Sequence, residues 1–468
     1  MQSGTRSETS PEPGARTSAA GTGGTPPRWL VIAEEPFLPA DAGGRVETTN
    51  FLSAAHAAGI ELRVLIPTKE PLDEARYTAL LPGASIVALP RDPSPLAHLS
   101  RAPYVQSSRP AAPLERALEV TPPLVDAVIS YSTRVAHLGE VVARAWGIPH
   151  LVRSYNVETE YFRVLAGRTS GPRSAAYRVE YLKMRRAEAA MHTSPAVTVI
   201  ADISREDHIW RSERATVRTI HLPPFLPTPA AAGALTTQAR EETAAGSRVP
   251  DRVLFAGSLD TPTNTEALRW FLSAAWPALR RLRPNATLQV VGRRAPADLI
   301  GELLSHPGVT VEVDVPEMAP YLAAASVSIN PMRSGSGVNI KMVDAMAAGL
   351  PVVSTAVGSR GMHWEPGRDL LVADDPEGFA RAVARLLDDP RHAAGVAAAG
   401  REFVVRELDW ATLIRQIRTE LHGPADAAGA ADTAGAAAAA SATDDDPAGD
   451  YPADSAVRGP FEPRTPAL

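Results

Sequence analysis

No cysteine occurs among the 468 residues, which excludes disulfides, thiolate metal sites and cysteine nucleophiles together. An excess of positive charge is missing too. The net charge is −6 and the pI about 6.0, which argues against nucleic acid as the main partner. No apolar run approaches the roughly 20 residues needed to span a bilayer. The opening stretch MQSGTRSETSPEPG has no apolar core and does not read as a secretory signal, so the expected compartment is the cytoplasm. No HxE, DxD or comparable pattern lies in a convincing loop, so no metal is expected. The DDD run at 444–446 reads as a solvated acidic patch in a tail.

The chain is too long for one ordinary core and long enough for two. Residues 1–27 are nearly all Gly, Ser, Thr, Pro and Ala, and residues 423–468 are Ala-rich and acidic. Neither can bury enough apolar surface to offset ordering entropy, so both are expected to be disordered. Between them the alternation of strand and helix patterns is regular. RWLVIAEEPF (28–37), a helical stretch ending at Gly59, and IELRVLIP (60–67) form a βαβ unit. DAVISYS (126–132), RVAHLGEVVARAWG, PHLVRSY, a long basic helix over about 173–192 and AVTVIADIS continue it. A Pro-rich, then polar stretch at 227–250 reads as a linker. A second series follows, with strands RVLFAGS, ATLQVVGR, VTVEVDV, SVSINP and PVVST, and with helices NTEALRWFLSAAWPALRRLRP and PEGFARAVARLLDD. The expected fold is therefore α/β, with two Rossmann-like domains, 28–226 and 251–422, facing each other across a cleft. Ligands bind at the carboxyl ends of such strands.

The stretch SGSGVNIKMVDAMAAGLPVVST (334–355) carries the chemistry. Gly335 and Gly337 allow close backbone approach before a helix expected over Val338–Ala348. That helix's N-terminal amides and dipole suit a diphosphate. Lys341 can reach back toward the phosphates, and Arg333 can approach from the strand end. Asp344, about 10 Å along the axis at 1.5 Å per residue, is spaced for ribose hydroxyls. A carboxylate in so apolar a helix is costly unless paired. A plain structural turn remains the competing reading.

These stretches, with LQVVGRR, LDWATLI, PADAGGRVETTNFLSAAHAAGIELRVL and RSYNVETEYFR, resemble family-4 glycosyltransferases over most of residues 28–420. The resemblance implies a GT-B fold whose C-terminal helix crosses back to the first domain. It also implies a metal-independent transferase with no cofactor, moving a sugar from a nucleoside-diphosphate sugar to a hydroxyl acceptor, with retention. By the same resemblance Lys341 and Arg333 would be catalytic. Gly335, Ser336, Gly337, Val338, Asp344, Gly257, Gly292 and Arg293 would hold the donor, and Gly43, Gly44, Tyr155 and Asn156 would face the acceptor side of the cleft. Arg45, beside the paired glycines, and Glu158, at a strand end facing the cleft, are further acceptor-side candidates by position, against a surface arginine and a structural cap or ion pair.

Three departures stand out. Ser336 occupies a position where many members carry a glutamate, and Asp344 is one methylene shorter than the second glutamate. Tyr155 stands where many have histidine, and a phenol is a poor base at neutral pH. The loop after FAGSLD offers Asp260, Thr261, Thr263 and Asn264 rather than basic residues. Ser336 and Tyr155 keep open a non-catalytic nucleotide-sugar-binding relative or partner subunit. A 2-epimerase would need cleft acids and histidines not found at matching positions. Trp270 and Trp276 are expected in the core. The basic helix, with Arg178, Lys183, Arg185 and Arg186, could rest on anionic lipid if the acceptor is lipid-linked. Glu180 and Glu188 interrupt it, which favours a solvated face.

Overall fold

The computed structural model describes residues 26–40, 43–92, 94–115, 125–228, 248–335 and 337–423. Residues 1–25 and 424–468 of the expected tails, residues 229–247 of the expected linker, and Ser336 lie outside the described residues.

Strands β1 (Arg28–Ala33), β2 (Glu61–Thr68), β3 (Ser85–Pro90), β4 (Ala127–Tyr131), β5 (His150–Ser154), β6 (Val199–Asp202) and β7 (Arg218–His221) form one parallel sheet in the order β3-β2-β1-β4-β5-β6-β7. Every residue of β4 and β5 is buried, as expected of strands covered on both faces. A second parallel sheet has the order β10-β9-β8-β11-β12-β13, from β8 (Arg252–Ser258), β9 (Thr287–Arg293), β10 (Val309–Val313), β11 (Val327–Asn330), β12 (Val352–Ser354) and β13 (Leu371–Val372). Both sheets are therefore of Rossmann type. Their strand order reverses between β1 and β4 and between β8 and β11, so each opens a crevice at those carboxyl ends. The sequence pattern misses β3, β7 and β13, which all lie at sheet edges; β7 and β13 are also only four and two residues long.

Five helices shape the cleft and its surroundings: α1 (Gly43–Ala57), α2 (Glu158–Arg168), α3 (Gly171–Met191), α4 (Ile340–Ala347) and α5 (Trp410–His422). Helix α1 starts at the paired glycines, ahead of the apolar pattern, because its buried face includes Glu47, Thr48, Asn50 and Ser53. Helix α5 crosses back. Leu413, Ile414, Ile417 and Leu421 join the core of the first sheet with Trp29, Phe51 and Phe225. Gln416 donates to the His221 carbonyl at 3.3 Å.

The long helix after β8 runs from Pro262 to Leu282 through a π-turn at Phe271–Ala275, which sits just before Pro277, a residue without an N–H to donate. Trp276 is core. Trp270 is half-buried, packed against the same core beside Phe379, and carries the Arg333 guanidinium 4.8 Å above its ring.

Candidate functional site

On the second sheet, the carboxyl ends of β8 and β11 set the geometry. Gly257 pairs with Gly292 across β8 and β9, and a Cβ on Gly292 would come within 2.2 Å of the Gly257 carbonyl. After β11 the chain turns through Gly335 and Gly337, both at positive φ, 137° and 75°. A side chain at Gly337 would also meet the Tyr155 carbonyl at 3.1 Å and Asn156 Oδ1 at 3.2 Å. This turn thus needs glycine both for its conformation and for its approach to the first domain.

Helix α4 begins at Ile340, two residues later than expected, and no side chain caps its N-terminus. The Met342 amide bonds the Asn339 carbonyl at 2.9 Å, and the Ile340 and Lys341 amides ahead of it are left for water or a ligand. Asp344 therefore lies only about 6 Å along the axis from the first helical residue. Lys341 is half-buried. Its Nζ donates to Asn264 Oδ1 at 2.6 Å, lies 3.5 Å from Met332 Sδ and sits 4.8 Å from the centre of the Phe255 ring. Among the described residues it meets no carboxylate, and burial pulls its pKa down to about 7. Asn264 is fixed in turn by donating to the Ser258 carbonyl at 2.8 Å.

Asp344 is exposed as a residue, and its side chain meets no partner among the described residues. The protein around its carboxyl still disfavours the charge and raises its pKa to about 7, as expected of an unpaired acid in so apolar a helix. Arg333 donates to the Asp374 carbonyl at 2.9 Å and stacks on Trp270. Arg293 lies at the end of β9. Its neighbour Arg294, which sequence reasoning missed, binds Asp260 at 2.6 Å and Ser258 at 2.9 Å.

On the facing side, a cleft of about 300 Å³ is lined by Gly43, Gly44, Arg45, Tyr155, Asn156 and Glu158 from the first domain and by Gly337, Val338 and Ile340 from the second. The six residues placed by sequence on the acceptor side therefore share one cleft with the turn before α4. Tyr155 has its hydroxyl 2.9 Å from Thr48 Oγ1. Burial, and then Glu47, raise its pKa well above the ordinary value, so it holds its proton.

The cleft also contains residues that no motif flagged. Glu34 follows β1 and Arg134 follows β4. Arg134 bridges Glu34 at 2.8 Å and Glu158 at 3.0 Å. Burial works against the charge of Glu34, but Arg134 and Arg109 outweigh it and hold its carboxyl below the ordinary value. Burial dominates at Glu158, which is raised to about 7 in spite of Arg134, with Glu34 and Glu188 adding to the rise. Below the cleft, Arg153 and Glu47 form a fully buried pair at 2.5 Å that also holds Tyr131 and the Phe225 amide.

The basic helix α3 differs from expectation. Glu180 and Glu188 do not interrupt its outer face; both are buried. Glu180 pairs with Lys183 and accepts the Tyr104 amide. Glu188 accepts the Glu158 and Thr159 amides, each at 3.0 Å, and so caps α2. The exposed face is left with Arg173, Arg178, Arg185 and Arg186 beside Val179 and Leu182. No helix among the described residues is long and apolar enough to cross a membrane, and none of their His, Asp or Glu side chains form a metal-binding group of three.

Comparison with known proteins accords with this geometry. Residues 250–389 match the family described as Glycosyl transferases group 1. The chain is 32% identical over 170 residues to a phosphatidyl-myo-inositol mannosyltransferase of Mycolicibacterium smegmatis, covering 35% of this chain and 43% of that protein. It spans less than half the length of the curated relatives it matches. Among solved structures, sucrose-phosphate synthase from Thermosynechococcus elongatus superposes with a TM-score of 0.61 at 17% identity, over 84% of this chain and 97% of that one. HepE from Anabaena, solved with UDP and glucose, gives 0.57 at 12% identity over 85% and 100%. The two Rossmann-type sheets thus have the GT-B fold, and the second sheet lies within the stretch that matches the Glycosyl transferases group 1 family.

Proposed function

We propose that the chain is a metal-independent glycosyltransferase of family-4 type. It would move a hexose from a nucleoside-diphosphate sugar to a hydroxyl acceptor, with retention. The observation that carries this reading is Lys341, an ammonium without a carboxylate partner among the described residues, beside the uncapped start of α4 and the Gly335–Gly337 turn. A cation drawn partly out of water without a counter-ion is costly, and a diphosphate would supply the missing charge. Glycosyl transfer builds negative charge on the departing diphosphate, so Lys341 and the helix amides would stabilise the transition state electrostatically. Arg333 would join them by leaving Trp270. Gly257, Gly292 and Arg293 would enclose the nucleotide, Val338 would line the donor pocket, and Asp344 would hold ribose. Ser336 would be a minor donor contact.

A panel of UDP, GDP and ADP in a thermal-shift assay tests the binding half, since ligand at 100 Kd adds about 2.7 kcal/mol. Release of nucleoside diphosphate from the matching nucleotide sugars tests turnover. Binding without turnover would leave a nucleotide-sugar-binding protein, and no binding would refute the reading.

The arginine-rich outer face of α3 supports peripheral contact with an anionic lipid surface. Leu96 and Leu99, 70% and 81% exposed, lie beside it, because Lys183 donates to the His98 carbonyl at 2.7 Å. Such contact should appear as flotation with phosphatidylglycerol vesicles but not phosphatidylcholine vesicles, and be lost in Arg178→Glu/Arg185→Glu. Equal flotation with both lipids would count against it.

A further inference from the structure

The first-sheet side of the cleft is unlike the Lys341 side in its charge. Four carboxylates line it, Glu34, Glu35, Glu47 and Glu158, against two cations, Arg45 and Arg134. Both cations are already engaged. Arg45 binds Glu35 at 3.0 Å, and Arg134 is divided between Glu34 and Glu158. Glu47 is taken up by Arg153 below the floor. A phosphate or carboxylate entering here would meet Glu34, Glu35 and Glu158 without a cation to itself, and like charges brought together repel. Sugar hydroxyls would meet the opposite situation. An ionised carboxylate only accepts hydrogen bonds, and hydroxyls have protons to give. The side chain of Glu158 is 3% exposed, with its backbone anchored by Glu188, so its carboxyl is held in place.

We propose that this pocket selects an acceptor whose reacting end is an uncharged polyol, that Glu34 and Glu158 receive its hydroxyls, and that phosphorylated or carboxylated ends are excluded. Arg134 is the positioning residue that holds the two carboxylates side by side in the cleft. This inference rests on the glycosyltransferase reading and narrows its acceptor. The lipid contact proposed for α3 lies outside the cleft and leaves it untouched. Burial raises the Glu158 carboxyl to about 7, and in its protonated form it can also donate to a hydroxyl oxygen. The charged groups around it are Arg134, Glu34 and Glu188, with Arg109 beyond Glu34.

The test uses the full chain with the nucleotide sugar whose diphosphate binds in the thermal-shift assay. Initial rates of nucleoside diphosphate release are measured with methyl α-mannoside, methyl α-glucoside or myo-inositol. The same rates are then measured with mannose 6-phosphate, glucose 6-phosphate or myo-inositol 1-phosphate at equal concentration. At least one neutral compound should accelerate release, about tenfold or more beyond its phosphorylated counterpart, a ratio equivalent to about 1.4 kcal/mol. Equal or better acceleration by a phosphorylated compound overturns the inference, as does the absence of acceleration by every neutral one. In Glu34→Gln/Glu158→Gln, Arg134 is left uncompensated. The neutral-over-phosphorylated ratio should then fall about tenfold with nucleotide affinity unchanged, and an unchanged ratio removes these two residues from selection. Failure of every nucleoside diphosphate to bind would instead sink the glycosyltransferase reading, and this inference with it.

Discussion

Lys341 carries the clearest expectation at the scale of single residues. Lys341→Ala removes a preorganised cation from where leaving-group charge would develop, so kcat should fall about 10²–10³-fold, or about 2.7–4 kcal/mol. Asp344→Asn should mainly weaken nucleotide affinity, and Ser336→Ala should do little. Steady-state kinetics with calorimetry separate these effects. The ammonium also sets a pH dependence. With its pKa near 7 in the free protein, the charged form is lost as pH rises above 7. Nucleoside diphosphate affinity should therefore fall by up to about tenfold per pH unit above 7, and calorimetry in buffers of different ionisation enthalpy should show proton uptake on binding. Without ligand, the unfolded chain holds this proton up to about pH 10.4. It thus binds more protons than the folded state from about 7 to 10, and this group's contribution to stability rises with pH across that window. Since the charge on the leaving group would be met by Lys341 and amides, turnover should survive excess EDTA; its loss, restored by Mg²⁺, would contradict that assignment. Lys341, Asp344 and the glycines were legible because they sit within one short stretch. Glu34, Arg134 and Glu158 were not legible as a unit, because an ion triad drawn from three strand ends leaves no spacing pattern in the chain.

Among the elements, α2 and α3 depend on each other. Glu188 of α3 satisfies the Glu158 and Thr159 amides and the Thr159 hydroxyl at the start of α2. Glu188→Ala would leave buried donors without a partner, at about 1–3 kcal/mol. A lower denaturation midpoint is expected, together with a smaller acceptor effect on turnover because Glu158 is released. A midpoint unchanged from the parent would show that water replaces the cap. The buried strands were readable from their apolar runs and Gly or Pro ends. The start of α1 was not, because Glu47, Thr48, Asn50 and Ser53 make its inner face polar. The inward turn of Glu180 and Glu188 was equally invisible, since composition places acids outside by default.

The whole molecule is tied together by α5. Ile417, 1% exposed, lies in the core of the first sheet although it follows all of the second. Ile417→Ala should cost about 2–5 kcal/mol. The loss should be reported by the Trp29 environment in the first sheet, read as tryptophan fluorescence against denaturant. A midpoint shift under about 0.5 kcal/mol would show that α5 is only loosely seated. The two-sheet plan was readable from the repeated strand and helix alternation. The seat of α5 follows from contacts that only the folded chain reveals, such as the paired Arg218 and Glu420.

That crossing has a consequence for how the protein is made. Gln416 meets the His221 carbonyl 195 residues behind it in the chain. At about 5–20 residues per second, a ribosome needs about 10–40 s to cover that interval. Throughout it the first sheet would wait with one apolar flank uncovered while the second sheet emerges and folds, so the domain begun first is finished last. Nascent chains stalled before Trp410 should therefore be cut by protease within the first sheet, and chains extended past His422 should resist.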